Sequence, residues 1–148
     1  MDFLSEGKRT IKADVRYEDV YTKLSEKTDM TISEIFYLCV LIGFHSKRKS
    51  NDFIVGRKEL RVTYFDDTQK SVLYAIANGL KPLSELTGTE AINSVVREYQ
   101  KYSNGGMDIL IEDVFKDRYQ DGILQGSYTK YEIDILKYVY ENITELPF

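Results

Sequence analysis

The residues able to do chemistry in this chain are one histidine, one cysteine and two charge clusters of opposite sign. His45 is the only histidine, so no multi-histidine metal site can form within one chain. No Ser-His-Asp or Cys-His constellation is legible around it. Cys39 stands between Leu38 and Val40 in an apolar run and reads as a small hydrophobe. The acidic cluster is Asp108, Glu112, Asp113, Asp117 and Asp121. On a helix, Asp108 and Glu112 share one face, as do Asp113 and Asp117. Two readings follow. One is a Mg²⁺ site of a nuclease, built on Asp108, Glu112 and Asp113 with a further ligand and a lysine. The other is a solvated acidic face.

The basic cluster is the stronger signal. Lys47, Arg48, Lys49, Arg57, Lys58 and Arg61 are opposed only by Asp52 and Glu59, so His45 to Arg61 carries +4. The whole chain carries −4, which leaves −8 for the rest. Three uses fit such a patch. It can neutralise phosphates of DNA, dock the acidic face of a partner protein, or solvate the end of a buried helix, whose dipole Lys47 and Arg48 would complement. There is no P-loop and no G-x-G-x-x-G. Asn104-Gly105-Gly106 reads as a helix cap at a tight corner, with an anion site at the next helix start as the alternative. No cofactor is expected.

The elements that must carry these groups are mainly helical. With 148 residues, 43% hydrophobic and 30% charged, the chain reads as one domain, 1–148, with residues 1–14 a flexible arm or edge strand. Val15, Val20, Tyr21 and Leu24 place a helix at about 17–28. Thr31 and Glu34 have capping-box spacing and start a second at about 32–45, apolar on nearly every side and therefore central. The charged stretch after it is read as a connector, and Leu60–Phe65 as a short strand. A third helix starts at an Asp67 or Thr68 cap and stops at Gly79. Ala91 to Tyr102 form the stripe of a fourth, Met107 to Arg118 a fifth. A loop leads to the last, with Tyr131, Ile135, Leu136, Val139 and Ile143 on one face. The expected fold class is mainly α, a bundle of about six helices with a short strand element. A helix-turn-helix outline over 23–43 fails, because its second helix is too apolar for a groove.

The longest apolar run, Ile35 to Phe44, is too short to cross a bilayer. No signal peptide is legible, and a single cysteine suits a reducing compartment, so a cytoplasmic protein is expected. Tyr128, Tyr131, Tyr138 and Tyr140 exceed what one helix face needs, which makes a homo-oligomer through the last helix an expectation.

The runs "ISEIFYLCVLIGFHSKRK", "LRVTYFDD" and "VVREYQKYSNGGMDILIEDV" resemble the DNA phosphorothioation-associated, or Dnd system-associated, protein 4 family. The resemblance lies on Ile35, Phe36, Ile42, Gly43, Phe44 and Lys47 to Lys49, and on Tyr102, Asn104, Gly105, Gly106, Ile109 and Leu110. It covers roughly residues 15–118, and Ser103 stands where Ala is expected. It implies a prokaryotic accessory subunit of a modification-linked restriction or anti-phage system. It supplies no catalytic residue. The expected function is therefore a non-catalytic accessory protein that contacts DNA through Lys47, Arg48, Lys49, Arg57, Lys58 and Arg61, with other subunits of the system as partners. The alternatives are a protein scaffold without DNA contact and the metal-dependent nuclease.

Overall fold

The computed structural model describes residues 3–143. Its elements in chain order are β1 (Thr10–Asp14), α1 (Glu18–Lys27), α2 (Ile32–His45), β2 (Val55–Arg61), α3 (Asp67–Leu80), α4 (Thr89–Leu110), β3 (Tyr119–Gln120), β4 (Ile123–Leu124) and α5 (Tyr131–Asn142). The fold is mainly helical with two small antiparallel sheets, β1–β2 and β3–β4.

The second helix forms where its capping signal places it. The Thr31 side chain accepts from the Glu34 N–H, and the Glu34 carboxylate accepts from the Thr31 N–H. Ile35, Phe36, Val40 and Ile42 are buried. Each such side chain contributes roughly 1.5–3 kcal/mol on leaving water. The third helix starts one residue earlier than expected, at an Asp66 cap closed by Gln69, and runs one residue past Gly79.

Asn104-Gly105-Gly106 is not a corner. The fourth and fifth expected helices are one rod, α4, and these residues lie buried inside it, so five α-helices are described rather than six. The reason is packing. A Cβ on Gly106 would stand 1.9 Å from the Cys39 carbonyl oxygen, and one on Gly105 2.0 Å from that of Arg48. In return, a Cβ on Gly43 would stand 2.1 Å from the Tyr102 carbonyl oxygen. The glycines let α2, the chain after it and α4 approach backbone to backbone, where any side chain would hold them apart. The signal read as a turn is a signal for contact. Past Leu110 the rod widens into a π turn, Ile111–Phe115, and stops at Lys116, whose φ is +50°.

Of the two expectations for residues 1–14, the edge strand is present as β1, while Phe3 and Leu4 are buried and not a loose arm. Two further segments differ from expectation. The strand expected at 60–65 is displaced: β2 ends at Arg61 and a 3₁₀ turn takes Val62–Tyr64. The loop before α5 holds the hairpin β3–β4, closed by Asp121 and Gly122 at positive φ. On α5, Tyr131 and Ile135 are buried as expected, but Leu136 faces solvent.

The glycine contact predicts opposite effects for two alanines. Gly106→Ala should cost more than about 3 kcal/mol by overpacking backbone that cannot yield. Gly79→Ala, on α3 with open space around it, should stabilise by roughly 0.5–1 kcal/mol. Urea denaturation of both variants measures the contrast.

Candidate nucleic-acid interface

The six expected contact residues divide into two groups. Lys47, Arg48 and Lys49 follow α2 directly. Lys47 takes the left-handed position at the helix end, φ +54°, usually held by glycine. The Arg48 N–H then donates back to the Gly43 carbonyl at 2.9 Å, and the Ser50 N–H donates to Lys101 on α4 at 3.0 Å. The segment is thereby laid along α4. Arg48 forks onto Glu112 with two bonds of 2.7 Å and stands 3.9 Å from Asp108. Lys49 reaches Glu98 at 2.6 Å and lies over the Tyr102 ring. The hydrogen bond from Arg48 holds the Glu112 carboxyl below its ordinary pKa. Lys47 is exposed and makes no ion pair among the described residues.

The acidic cluster is accounted for in part by the same pairs. Asp108 and Glu112 do share one face, and that face holds a guanidinium. Asp108 also accepts from the Tyr17 hydroxyl. Among the described residues no three His, Cys, Asp or Glu side chains group as a metal site requires.

Arg57, Lys58 and Arg61 lie on β2. Its ladder with β1 pairs Thr10 with Arg61, Ile11 with Leu60 and Lys12 with Glu59, then slips so that Asp14 meets Val55. The extra residues make a bulge. Its two free backbone donors, the N–H groups of Arg57 and Lys58, both go to one oxygen of Glu18, at 2.6 and 3.1 Å. Such bulges bend a strand and re-aim its side chains. Gly56 is required beside it, because a Cβ there would meet Ala13 and Val15 backbone at 2.9 Å. Ile11, Ala13 and Leu60 are buried beneath the ribbon, while Thr10, Lys12, Arg57, Glu59 and Arg61 are exposed. Lys12, Arg57, Lys58, Glu59 and Arg61 form no ion pair among the described residues.

The ribbon is moored by a buried carboxylate. Asp14 accepts from the Arg16 N–H and guanidinium, the Ile54 N–H and the Asn104 amide, at 2.7–3.0 Å. Burial pushes its pKa up, but these hydrogen bonds outweigh burial and hold it below the ordinary 3.8. Gln100 adds a bond from α4 to the Lys12 carbonyl at 2.8 Å.

Sequence reasoning missed Lys12, Asp14 and Glu18. Lys12 was legible as the polar position of the alternating "TIKAD". Asp14 has one local partner, Arg16 two residues on, but its mooring bonds come from Ile54 and Asn104, 40 and 90 residues away, and the bulge donors of Glu18 lie 39 and 40 residues away. No family model matches the chain, and no match is found among curated proteins or solved structures.

The Asp14 mooring has a pH signature. A folded pKa below the unfolded one contributes stability that is complete above 3.8 and is lost as pH falls through the folded value. Asp14→Asn should lose about 2 kcal/mol or more at pH 7, since an amide cannot accept all five N–H bonds that Asp14 receives. It should also flatten the loss of stability below about pH 4, the ordinary carboxylate range. Urea midpoints from pH 7 to pH 2 measure both.

Proposed function

We propose that this chain is a non-catalytic accessory component of a DNA-modification-linked restriction system, and that it meets DNA through the exposed face of β1–β2. The observation that carries the DNA contact is a set of cations with no ion-pair partner among the described residues, the exposed Lys12, Arg57 and Arg61 with the half-buried Lys58 beside them, on a ribbon moored by Asp14 and Glu18. Cations free of intramolecular pairs are the ones able to replace counterions along a phosphate backbone. The system context rests on the resemblance of "ISEIFYLCVLIGFHSKRK" and "YSNGG" to the phosphorothioation-associated protein 4 family. Lys47 lies outside the ribbon and adds charge. Arg48 and Lys49 serve α4.

A second reading, a scaffold that docks other subunits, is favoured by α5. Ile133, Leu136 and Tyr140 make an apolar stripe there, 65%, 59% and 83% exposed. Of the tyrosines expected on this surface, Tyr131 is buried and Tyr128 and Tyr138 are half-buried. No helix of the described residues is long and apolar enough to cross a membrane.

Fluorescence anisotropy of a short duplex, with and without phosphorothioate links, at two salt concentrations separates the readings. The wild type should bind with strong salt dependence. The triple variant Arg57→Gln/Lys58→Gln/Arg61→Gln should lower the log–log salt slope by about 3, near one per lost phosphate contact. The double variant Arg48→Gln/Lys49→Gln should change the slope by less than about 1. Absence of binding at low salt would reject the DNA reading and leave the α5 stripe as the working surface.

A further inference from the structure

We infer that the β1–β2 face seats in the major groove of duplex DNA, with Glu59 reading a cytosine and Arg61 a guanine. The inference rests on the DNA contact proposed above and adds which part of DNA is met and which residues select sequence.

The shape fits. A major groove about 12 Å wide admits a two-stranded ribbon. Here the two strands, roughly 4.8 Å apart, are sealed on one side by Ile11, Ala13 and Leu60 and present a single outward face. The regularly paired end of β2, Glu59 to Arg61, rises about 3.3 Å per residue. That rise per residue nearly equals the base-pair step of about 3.4 Å. Glu59 and Arg61, two residues apart on the regularly paired end of β2, therefore stand about two base steps apart.

The chemistry turns on Glu59. A surface that only gripped phosphates would be weakened by a carboxylate among its cations. Glu59 lies directly opposite Lys12 and forms no ion pair with it or with any other described cation. On its far side a groove of about 530 Å³ is bordered by Glu34 and Asp66, both occupied in helix caps. These carboxylates repel the sugar–phosphate backbone from that flank. With no described cation taking it, the exposed Glu59 can accept from a base edge, and in the major groove the cytosine N4 amino group is the donor that Glu accepts from. Arg57 and Arg61, on either side of it along the strand, have the fork that pairs with guanine O6 and N7. Glu18 acts as a positioning residue: by taking both bulge N–H groups it sets the angle from which Arg57 leaves the strand.

Anisotropy on three 20-base-pair duplexes tests this with the full chain: alternating G·C, alternating A·T, and the G·C duplex carrying glucosylated 5-hydroxymethylcytosine, which fills the major groove. Wild type should prefer G·C to A·T by about tenfold, the scale of one good base contact, and glucosylation should abolish that gain. Glu59→Gln, exposed and checked for an unchanged melting temperature, should bind A·T more tightly while losing most of the G·C preference. Equal, salt-sensitive binding to plain and glucosylated duplex would overturn groove seating and leave the phosphate-contact reading standing. An equal gain on all three duplexes for Glu59→Gln would overturn the role of Glu59. No binding to any duplex at low salt would overturn this inference together with the reading it rests on.

Discussion

The contact on which the rest of the molecule depends is backbone against backbone. Gly43 of α2 and Gly105 and Gly106 of α4 face the carbonyls of Tyr102, Arg48 and Cys39, at distances that leave no room for a β-carbon. Side chains can adapt to one another, but two main chains cannot. The apposition therefore sets the relative position of α2 and α4, and other contacts follow from it. Phe44 meets Tyr102 edge-on at 5.3 Å. Ser103 and Asn104 become buried and need partners, which Tyr21 and Asp14 supply. Through Asn104 and Gln100, the same stretch of α4 holds β1 in place.

This packing also sorts the charges. The chain leaving α2 is pressed onto α4 at Gly105, so Arg48 reaches Glu112 in the π turn that continues α4, and Lys49 reaches Glu98 on α4 itself. Part of the excess of negative charge outside residues 45–61 is thus the counterpart of the cations within them. A surface pair of this kind contributes little stability, commonly under about 1 kcal/mol, but it orients both side chains. The cations on β2 escape this pairing because the strand turns away from α4 to join β1. Their setting is made by buried Asp14 and half-buried Glu18, which take backbone donors of β2 and Ile54, with Arg16 and Asn104 side chains on Asp14, rather than the cations of the ribbon face.

The residue patterns were informative in proportion to how local their causes are. The Thr31–Glu34 box and the apolar run behind it located α2 at both ends, since capping and periodicity act within one or two turns. The stripe from Ala91 to Tyr102 likewise marked α4. Gly105 and Gly106 misled because glycine permits two things, a positive φ at a helix end and close approach within a helix, and the residue type does not distinguish them. The strand at 55–61 was hidden inside a charged stretch because only alternate positions of an outer ribbon need be apolar, and here a bulge interrupts even that alternation.

By itself, then, the amino-acid sequence determined the helical class, the position of the buried helix, the separation of charge into a basic segment and an acidic remainder, and the presence of a single cysteine and a single histidine. Each of these is a property of composition or of neighbours within about one helical turn. Only the tertiary structure decided which cations are spent on the protein's own carboxylates and which remain on its surface. Ion pairs such as Arg48 with Glu112 join residues 64 apart, and the donors gathered by Asp14 come from as far as 90 residues away. Charge acts through space, and the distances that matter exist only once α2 and α4 have closed on their glycines.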